Sequence, residues 1–158
     1  MTAVNAAIDD FLAQKRIAVA GVSRTPAGHG GNVVYNRLRD RGYEVFAVNP
    51  NADTVEGDPC YPDLRSIPGG VDAVVIATAP DAAQSVAEEC RELGIRRVWM
   101  HRSFGQGSVS AEAHEFCRAN GIASIAGGCP LMYGATSDGG HRFMRWMLGI
   151  MGRLPREA

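Results

Sequence analysis

Residues 17–31 read IAVAGVSRTPAGHGG, and this stretch decides the fold. Its first four residues are apolar, as in a buried strand, and four glycines follow them. The pattern then predicts a helix over Asn32–Arg41. Glycines let a backbone approach an anion closely, and the unpaired amides at a helix N-terminus point at such an anion. A strand, a glycine loop and a helix in this order therefore predict a site for the phosphates of a nucleotide-like ligand.

The loop departs from the fingerprint of dinucleotide-binding proteins. That fingerprint has a second glycine two residues after the first, and Ser23 stands at that position. The next predicted strand, Tyr43–Asn49, ends in Asn49 and Pro50, where an NAD site offers an acidic residue to the ribose hydroxyls. A carboxylate there would repel a phosphorylated ribose. Its absence permits a ligand with a 2′- or 3′-phosphate and weakens the case for NAD.

The composition limits the classes of protein to which the chain can belong. The chain has 158 residues, 46% of them hydrophobic, with 16 basic and 17 acidic side chains. These values predict one compact soluble domain, and the near-zero net charge argues against nucleic acid or an anionic membrane as a partner. The N-terminus lacks a basic segment followed by an apolar run, and no apolar stretch reaches about 18 residues. We therefore expect a cytoplasmic protein that does not contact a membrane.

The four cysteines show neither a CxxC pair nor the spacing of a zinc site, so we expect reduced thiols in the core and no metal. They are Cys60, Cys90, Cys117 and Cys129. Two of the four histidines, His114 and His141, are predicted to lie on the surface. No Ser, His and Asp fall in a convincing catalytic order at strand ends, so no catalytic residue is predicted.

Strands and helices alternate along the rest of the chain. After a polar connection over 51–58 and a short edge strand or turn within 60–68, three strands and two helices are predicted over the ranges 72–78, 81–93, 97–101, 109–120 and 122–126. Asp81 is the predicted N-cap of the first of these helices, and Gly94 ends it. Short connections with right-handed crossovers then predict a Rossmann-like, doubly wound parallel α/β sheet with its ligand crevice at the carboxyl ends of the strands.

Helices are also predicted at both ends of a single domain that spans residues 1–158. Residues 1–14 contain an amphipathic helix that covers the core. The tail, residues 137–158, contains a helix with five apolar side chains on one side, namely Phe143, Trp146, Met147, Ile150 and Leu154. Two interpretations of this side stay open, which are packing against the core and an interface with a second copy or a partner protein.

Several short motifs, in their order along the chain, resemble one family. They are Gly21–Arg24, Val48–Pro50, Tyr61–Leu64 with Ile67–Pro68, and Val98–Met100. The chain is similar to the small stand-alone CoA-binding proteins, whose domain is similar to the N-terminal CoA-binding domain of the succinyl-CoA synthetase alpha subunit. The likeness covers roughly residues 13–133.

The resemblance implies that the crevice holds the phosphoadenosine end of coenzyme A or an acyl-CoA, with the pantetheine arm leading away. The residues that it implies for this cofactor lie in the glycine loop, beside the adenosine and along the border of the crevice. They are Gly21, Val22, Ser23, Arg24, Gly30, Asn49, Pro50, Thr78, Ala79, Pro80 and His101. His101 stands where many relatives have a glutamine, so the rim is expected to differ there.

Alternative roles stay open for three of these residues, and a separate role stays open for Cys129. Arg24 either pairs with a phosphate or is solvated, and Ser23 either contacts the anion or holds the turn through its own backbone. His101 is placed to hydrogen-bond the ligand, and general base work is the alternative. A thiolate at Cys129 could form a mixed disulfide with CoA.

The function that the sequence favours is reversible binding of CoA or an acyl-CoA in a non-catalytic or accessory role. Two alternatives stay open. The first is a small NAD(P)-dependent oxidoreductase or redox sensor, which the glycine loop alone supports. The second is an interaction module with a vestigial nucleotide site, which contacts its partner or a second copy through the C-terminal helix.

Overall fold

The computed structural model describes residues 2–25, 29–102, 107–134, 137–156 and 158. The helices and strands within these ranges are α1 (Ala3–Leu12), β1 (Arg16–Ala20), α2 (Gly30–Asp40), β2 (Glu44–Val48), β3 (Thr54–Val55), β4 (Asp58–Tyr61), β5 (Ala73–Ile76), α3 (Pro80–Leu93), β6 (Arg97–Met100), α4 (Ala111–Ala119), β7 (Ala123–Ala126) and α5 (Gly139–Ile150). A 3₁₀ turn at Pro130–Met132 precedes α5. None of these helices has the length and apolar character that crossing a bilayer requires.

All the described strands belong to one sheet in the order β3-β4-β2-β1-β5-β6-β7. Neighbouring strands are parallel except for β3 and β4, which pair antiparallel. Without β3, the order is that of the dinucleotide-binding fold, in which the chain reverses its direction of progress between β1 and β5. The predicted fold class, a Rossmann-like doubly wound single domain, is confirmed.

The sheet is covered on both faces, as its continuous apolar strands predict. In β1, Ile17 and Val19 belong to a core formed with α1, α2 and α5, whereas Ala18 and Ala20 belong to a core formed with α3 and α4. All four side chains are buried. Side chains alternate between the faces of a strand, so one apolar run supplies two cores.

One hairpin was not predicted. Residues 51–58 were expected to form a polar connection, but they contain β3 and the turn into β4. Glu56 and Gly57 both have positive φ, 51° and 79°, as a tight two-residue hairpin turn requires. Tyr35 of α2 donates a hydrogen bond of 2.6 Å to Asp58, which fixes the hairpin to this helix. Two residues are too short a strand for a periodicity to be visible in the sequence.

The predicted cap of α3 is wrong. The helix begins at Pro80, whose fixed φ suits the first helical position, and its N-cap is Ala79. Asp81 therefore lies within the first turn, where its charge is still favourable. The predicted end of the helix is confirmed, because Gly94 follows Leu93 with a φ of 72°.

Of the two interpretations of the apolar side of α5, packing against the core holds for only part of it. Phe143, Trp146 and Ile150 remain 58%, 62% and 69% exposed. The helix instead packs on the core through Leu148, which is fully buried, with Met144 packed against it from the preceding turn. Core packing therefore does not explain these three large side chains.

Candidate functional site

A crevice opens at the carboxyl ends of the strands, where the strand order reverses. Its first cavity, of about 530 Å³, lies on the α3 side of the sheet and has the size of a small-molecule site. The chain segments that follow four neighbouring strands line it, at Gly21–Ser23, Asn49–Pro50, Pro62–Leu64 and Ala77–Ala79. Open sheets of this type bind their ligands at this position.

A second cavity, of about 470 Å³, adjoins the first across Ala77–Ala79, which line both. It lies on the other side of the sheet, between the first turns of α2 and α5 and the end of β6. Gly30, His101, Cys129 and His141 are among its lining residues. The crevice therefore continues from the α3 layer into the layer that contains α2 and α5.

Close packing of two loops and a helix turn explains Gly21 and Gly31 of the glycine-rich stretch. Gly21 has a φ of 101°, and a Cβ atom on it would lie 2.5 Å from the carbonyl oxygen of Ala77. A Cβ on Gly31 would lie 2.8 Å from the carbonyl oxygen of Gly21. The loop after β1 thus fits between the loop after β5 and the first turn of α2 only because side chains are absent. Gly28 lies outside the described residues.

Two helices direct their N-termini toward the crevice. The N-cap residue of α2 is His29 and that of α3 is Ala79, and neither provides a side-chain cap. Ala79 lines both cavities, His29 lines the first and Gly30 the second. First-turn amides without a capping side chain are donors for an anion, with the positive end of the helix dipole behind them.

Asn32 was not predicted, although it fixes the glycine loop. This side chain is buried in the first turn of α2, and its Oδ1 accepts a 2.8 Å hydrogen bond from the backbone amide of Ser23. Its Nδ2 donates to the carbonyl oxygen of Ser23 at 2.9 Å and to Glu56 Oε1 at 2.9 Å. A polar residue among the apolar positions of an amphipathic helix was the available signal.

In the structure, the Ser23 side chain holds its own turn. The backbone amide of Thr25 donates to Ser23 Oγ at 3.1 Å, which is the predicted alternative of a serine that holds its own turn. Arg24 is exposed beside it. Neither Arg24 nor Pro80 is among the described residues that line the two cavities.

Asn49 explains why no acidic residue ends β2. Its Nδ2 donates a 2.9 Å hydrogen bond to the carbonyl oxygen of Val22, and its Oδ1 accepts one of 2.8 Å from the amide of Asn51. An Asp or Glu could not donate the first of these bonds. Asn49 therefore connects the loops after β1 and β2, and the departure from an NAD site has a structural cause.

The lining of the first cavity includes acidic groups that the sequence analysis missed. Among its described residues the titratable groups are His29, Asp63 and Glu89, with no lysine or arginine. Asp63 Oδ1 accepts hydrogen bonds from the Ser66 hydroxyl at 2.7 Å and from the Ser66 amide at 2.8 Å, and these two bonds lower the pKa of Asp63. Carboxylates suit the hydroxyl and amino donors of a nucleoside, so phosphates fit better near the helix N-termini.

One face of α3 forms the remaining wall of the first cavity. The residues are Ala82, Ser85, Val86 and Glu89, which recur at helical spacing. None of these four residues is among the site residues expected from the sequence. The signal in the sequence for this wall was the pair of small residues Ala82 and Ser85, because small side chains leave room beside the sheet.

His101 lies in the second cavity and not in the first. Its backbone amide donates to the carbonyl oxygen of Ile76 at 2.9 Å, which places the ring beside Gly30. Burial, and secondarily the charge of His141, lowers the pKa of His101 to about 4. The ring is therefore neutral at physiological pH.

The other residues of interest near this cavity differ from their predictions. Burial raises the pKa of Cys129 to about 12, which argues against a thiolate and hence against the mixed disulfide. His114 is 8% exposed, with Nδ1 2.9 Å from Ser124 Oγ. The side chain of His141 is 15% exposed, with Nδ1 2.8 Å from Asp138 Oδ2. The predicted surface position is therefore wrong for His114, whereas His141 is partly buried.

Comparisons with known proteins identify the family. The model of a CoA-binding domain matches residues 15–135. The chain belongs to this CoA-binding domain family. The uncharacterized protein YneT of Bacillus subtilis is 32% identical to it over 115 residues, which cover 73% of this chain and 82% of that protein. The resemblance that the sequence motifs indicated is confirmed.

The CoA-binding domain also resembles part of a longer enzyme and a solved structure. An ADP-forming acetate–CoA ligase II of Archaeoglobus fulgidus is 38% identical over 89 residues, which are 55% of this chain and 13% of the ligase. The chain thus matches a small part of that enzyme. A hypothetical protein from Pyrococcus horikoshii superposes with a TM-score of 0.73 at 26% identity, over 82% of this chain and 87% of that one.

Proposed function

We propose that this CoA-binding domain binds coenzyme A reversibly in the crevice between the N-termini of α2 and α3. The observation that carries the proposal is the pair of helix N-termini without side-chain caps, which border one crevice where the strand order reverses. Membership of the CoA-binding domain family supports CoA as the anion-bearing ligand. The cavity volume of about 530 Å³ is in the range of sites for small molecules.

The proposed arrangement assigns the phosphates to backbone amides. They contact the loop Gly21–Arg24 and the first turn of α2 at Gly30, with the exposed Arg24 as a cation beside them. The adenosine lies in the first cavity beside Asn49 and Pro50, where Asp63 and Glu89 accept hydrogen bonds from its amino and hydroxyl groups. Thr78, Ala79 and Pro80 form the border that the pantetheine arm passes.

The proposed role is accessory, without turnover by the chain alone. The matched ligase is much longer than this chain, which aligns with 13% of it. Ligation involves phosphoryl transfer and a second nucleotide, which a single domain of this size does not accommodate beside CoA. A partner protein would supply the groups for phosphoryl transfer and the second nucleotide.

A cytoplasmic location also stays a prediction.

Calorimetric titration tests the ligand. Protein stripped of bound ligand is titrated with CoA, 3′-dephospho-CoA, NAD and NADP at one salt concentration. We expect CoA to bind most tightly, and weaker binding of dephospho-CoA would show that the ribose phosphate is recognised. A preference for NAD or NADP would favour the oxidoreductase, and no binding of any of them would favour the vestigial module.

The exposed arginine of the loop gives a second test. We expect Arg24→Ala to weaken CoA binding by about three- to tenfold without lowering the Tm of the free protein, because a charge-assisted contact is lost. Arg96→Ala is the matched control, since this exposed arginine directly precedes β6, at the opposite edge of the sheet from the crevice. An unchanged affinity for Arg24→Ala would remove Arg24 from the site.

The contact of α5 with a second copy or a partner stays a prediction. It starts from Phe143, Trp146 and Ile150, which the core leaves exposed. Analytical ultracentrifugation of wild type and Trp146→Glu tests self-association. If the wild type is monomeric at all concentrations, the homodimer is excluded.

A further inference from the structure

The second cavity contains two imidazoles that adenosine and phosphate binding leaves unused. His101 lies at the end of β6 and His141 in the first turn of α5, so two separate elements bring them to one space. Val34 and Met144 supply apolar walls. A cavity of about 470 Å³ with this lining suits a short, mostly apolar group that carries one polar end.

Asp138 orients the second of these imidazoles. It is the N-cap of α5, and its Oδ1 accepts a 2.9 Å hydrogen bond from the backbone amide of His141. Its carboxylate also lies 2.8 Å from His141 Nδ1, and these bonds lower the pKa of Asp138. A carboxylate accepts a hydrogen bond from a ring N–H, so Nδ1 carries the proton. In the neutral ring, Nε2 is then left as an acceptor.

The charged groups near His141 come from two helices. Asp138 supplies a negative charge on its own helix, and Arg37 of α2 affects that carboxylate from the opposite element. His101 is kept neutral and Cys129 is kept as a thiol, both by burial. Neither neighbour therefore competes with His141 as the charged partner of an anion that forms in the cavity.

The first and second cavities share Ala77–Ala79, so an arm that leaves the phosphates can pass this segment into the second space. We propose that the second cavity receives the thiol end of pantetheine and that His141, held by Asp138, accepts the thiol proton. The S–H bond breaks, an N–H bond forms at Nε2, and a thiolate beside an imidazolium results without oxidation or reduction. This inference rests on the proposed binding of CoA.

Ultraviolet difference spectra test the thiol directly. CoA and desulfo-CoA are bound to the same protein, and the thiolate absorbance of the difference is followed against pH. Because desulfo-CoA lacks the thiol, subtracting the spectrum of its complex removes the absorbance of the protein's own cysteines. We expect the bound thiol to titrate at least about one pH unit below free CoA. A bound thiol that titrates like free CoA overturns the proposal, although the proposed function would stand.

Two variants test whether His141 accepts the thiol proton. His141→Asn keeps a donor for Asp138 but removes Nε2, and Asp138→Asn keeps an N-cap but removes the charge. Both are expected to move the titration back toward that of free CoA while the affinity for desulfo-CoA stays within about twofold of wild type. If either variant does not fold, the other decides. A folded variant that retains the lowered titration refutes His141 as acceptor, and failure of both CoA and desulfo-CoA to bind wild type refutes the proposed function itself.

Discussion

The helices of this domain differ at their N-termini. Thr2, Ser110 and Asp138 accept hydrogen bonds from first-turn amides of α1, α4 and α5, whereas His29 and Ala79 give α2 and α3 no such bond. The two helices without caps are those that border the first cavity. A capping side chain and a bound anion use the same amides, so one terminus does not serve both. The difference separates helix ends that the chain completes itself from ends that a ligand could complete.

The largest expected effect comes from forcing the two uncapped termini apart. Gly21→Ala would place a Cβ atom 2.5 Å from the carbonyl oxygen of Ala77 at a φ of 101°, so both a clash and backbone strain oppose folding. We expect a loss of about 3 kcal/mol or more in the free energy of unfolding, and loss of CoA binding. Urea denaturation and calorimetric titration measure the two effects.

Gly42→Ala separates the clash from the strain. Gly42 has a similar φ of 91°, but a Cβ atom there meets nothing within 4 Å. The backbone strain alone is expected to destabilise by about 1–2 kcal/mol, with unchanged CoA affinity. Equal losses for the two variants would show that the close approach of the loops contributes nothing.

Protonation of His101, whose ring lies beside Gly30 at the N-terminus of α2, has the next largest expected effect on stability. The pKa of His101 in the fold is about 4, below its ordinary value, because of burial and then the charge of His141. As the pH falls below about 6.5, the unfolded chain therefore binds a proton that the folded chain does not. Stability is lost as the pH falls, by about 2 kcal/mol between about pH 7 and about pH 5.

Thermal or urea unfolding at several pH values measures this slope. His101→Gln removes the titrating group and is expected to flatten the slope in that window. His29→Gln, at an exposed histidine before the same helix, is expected to leave the slope as in wild type. A slope that persists in His101→Gln would assign the pH dependence to other groups.

Regular elements could be predicted from the sequence because their signals are local. Apolar runs such as Ala73–Ile76 and the glycine after Leu93 predict a strand and a helix end without knowledge of neighbours. The β3–β4 hairpin could not be predicted, because its strands are short and Tyr35 fixes it from another element. The sequence also left open which side chains of α5 the core buries, since periodicity identifies an apolar side but not whether the core reaches it.

The candidate site was predictable only in outline. Pattern and resemblance indicate Gly21 and Thr78, and the strand order brings the loops that contain them together at the first cavity. Asn32 and His141 were missed because their importance lies in tertiary contacts, a buried bond to Ser23 and a place in the second cavity. A sequence gives the type of a polar residue but not what it contacts.

The loop after β1 offers a smaller test of the crevice. Asn49→Asp removes the 2.9 Å hydrogen bond that Nδ2 donates to the carbonyl oxygen of Val22 and sets a carboxylate against this oxygen. We expect a loss of about 1–2 kcal/mol in the free energy of unfolding. CoA affinity should fall about tenfold as well, because the new charge repels phosphate and the loop shifts.

Asn120→Asp is the matched control for this variant. Asn120 Nδ2 also donates to a backbone carbonyl oxygen, that of Phe116 at 2.8 Å, but at the end of α4. We expect a similar loss of stability with unchanged CoA affinity. Equal affinity losses in both variants would show that general destabilisation, and not the crevice, weakens binding.

The variant with the smallest expected effect on stability tests whether a capping side chain and a bound anion compete for the first-turn amides of α2. His29→Asp places a capping carboxylate at the N-terminus of α2, where the extended backbone of residue 29 already suits an N-cap. The free protein should gain about 0.5–1 kcal/mol in its free energy of unfolding. CoA should bind at least about tenfold more weakly, because the carboxylate occupies the amides and repels the phosphates.

Ser110→Ala gives the opposite change at a helix away from the crevice. It removes the hydrogen bond that Ser110 Oγ accepts from the amide of Ala113 and should destabilise by about 1 kcal/mol with unchanged CoA affinity. Stability and affinity would thus move in opposite directions at α2 and independently at α4. If His29→Asp stabilises the protein and still binds CoA as wild type does, the α2 amides do not hold the phosphates, and the site must lie elsewhere along the crevice.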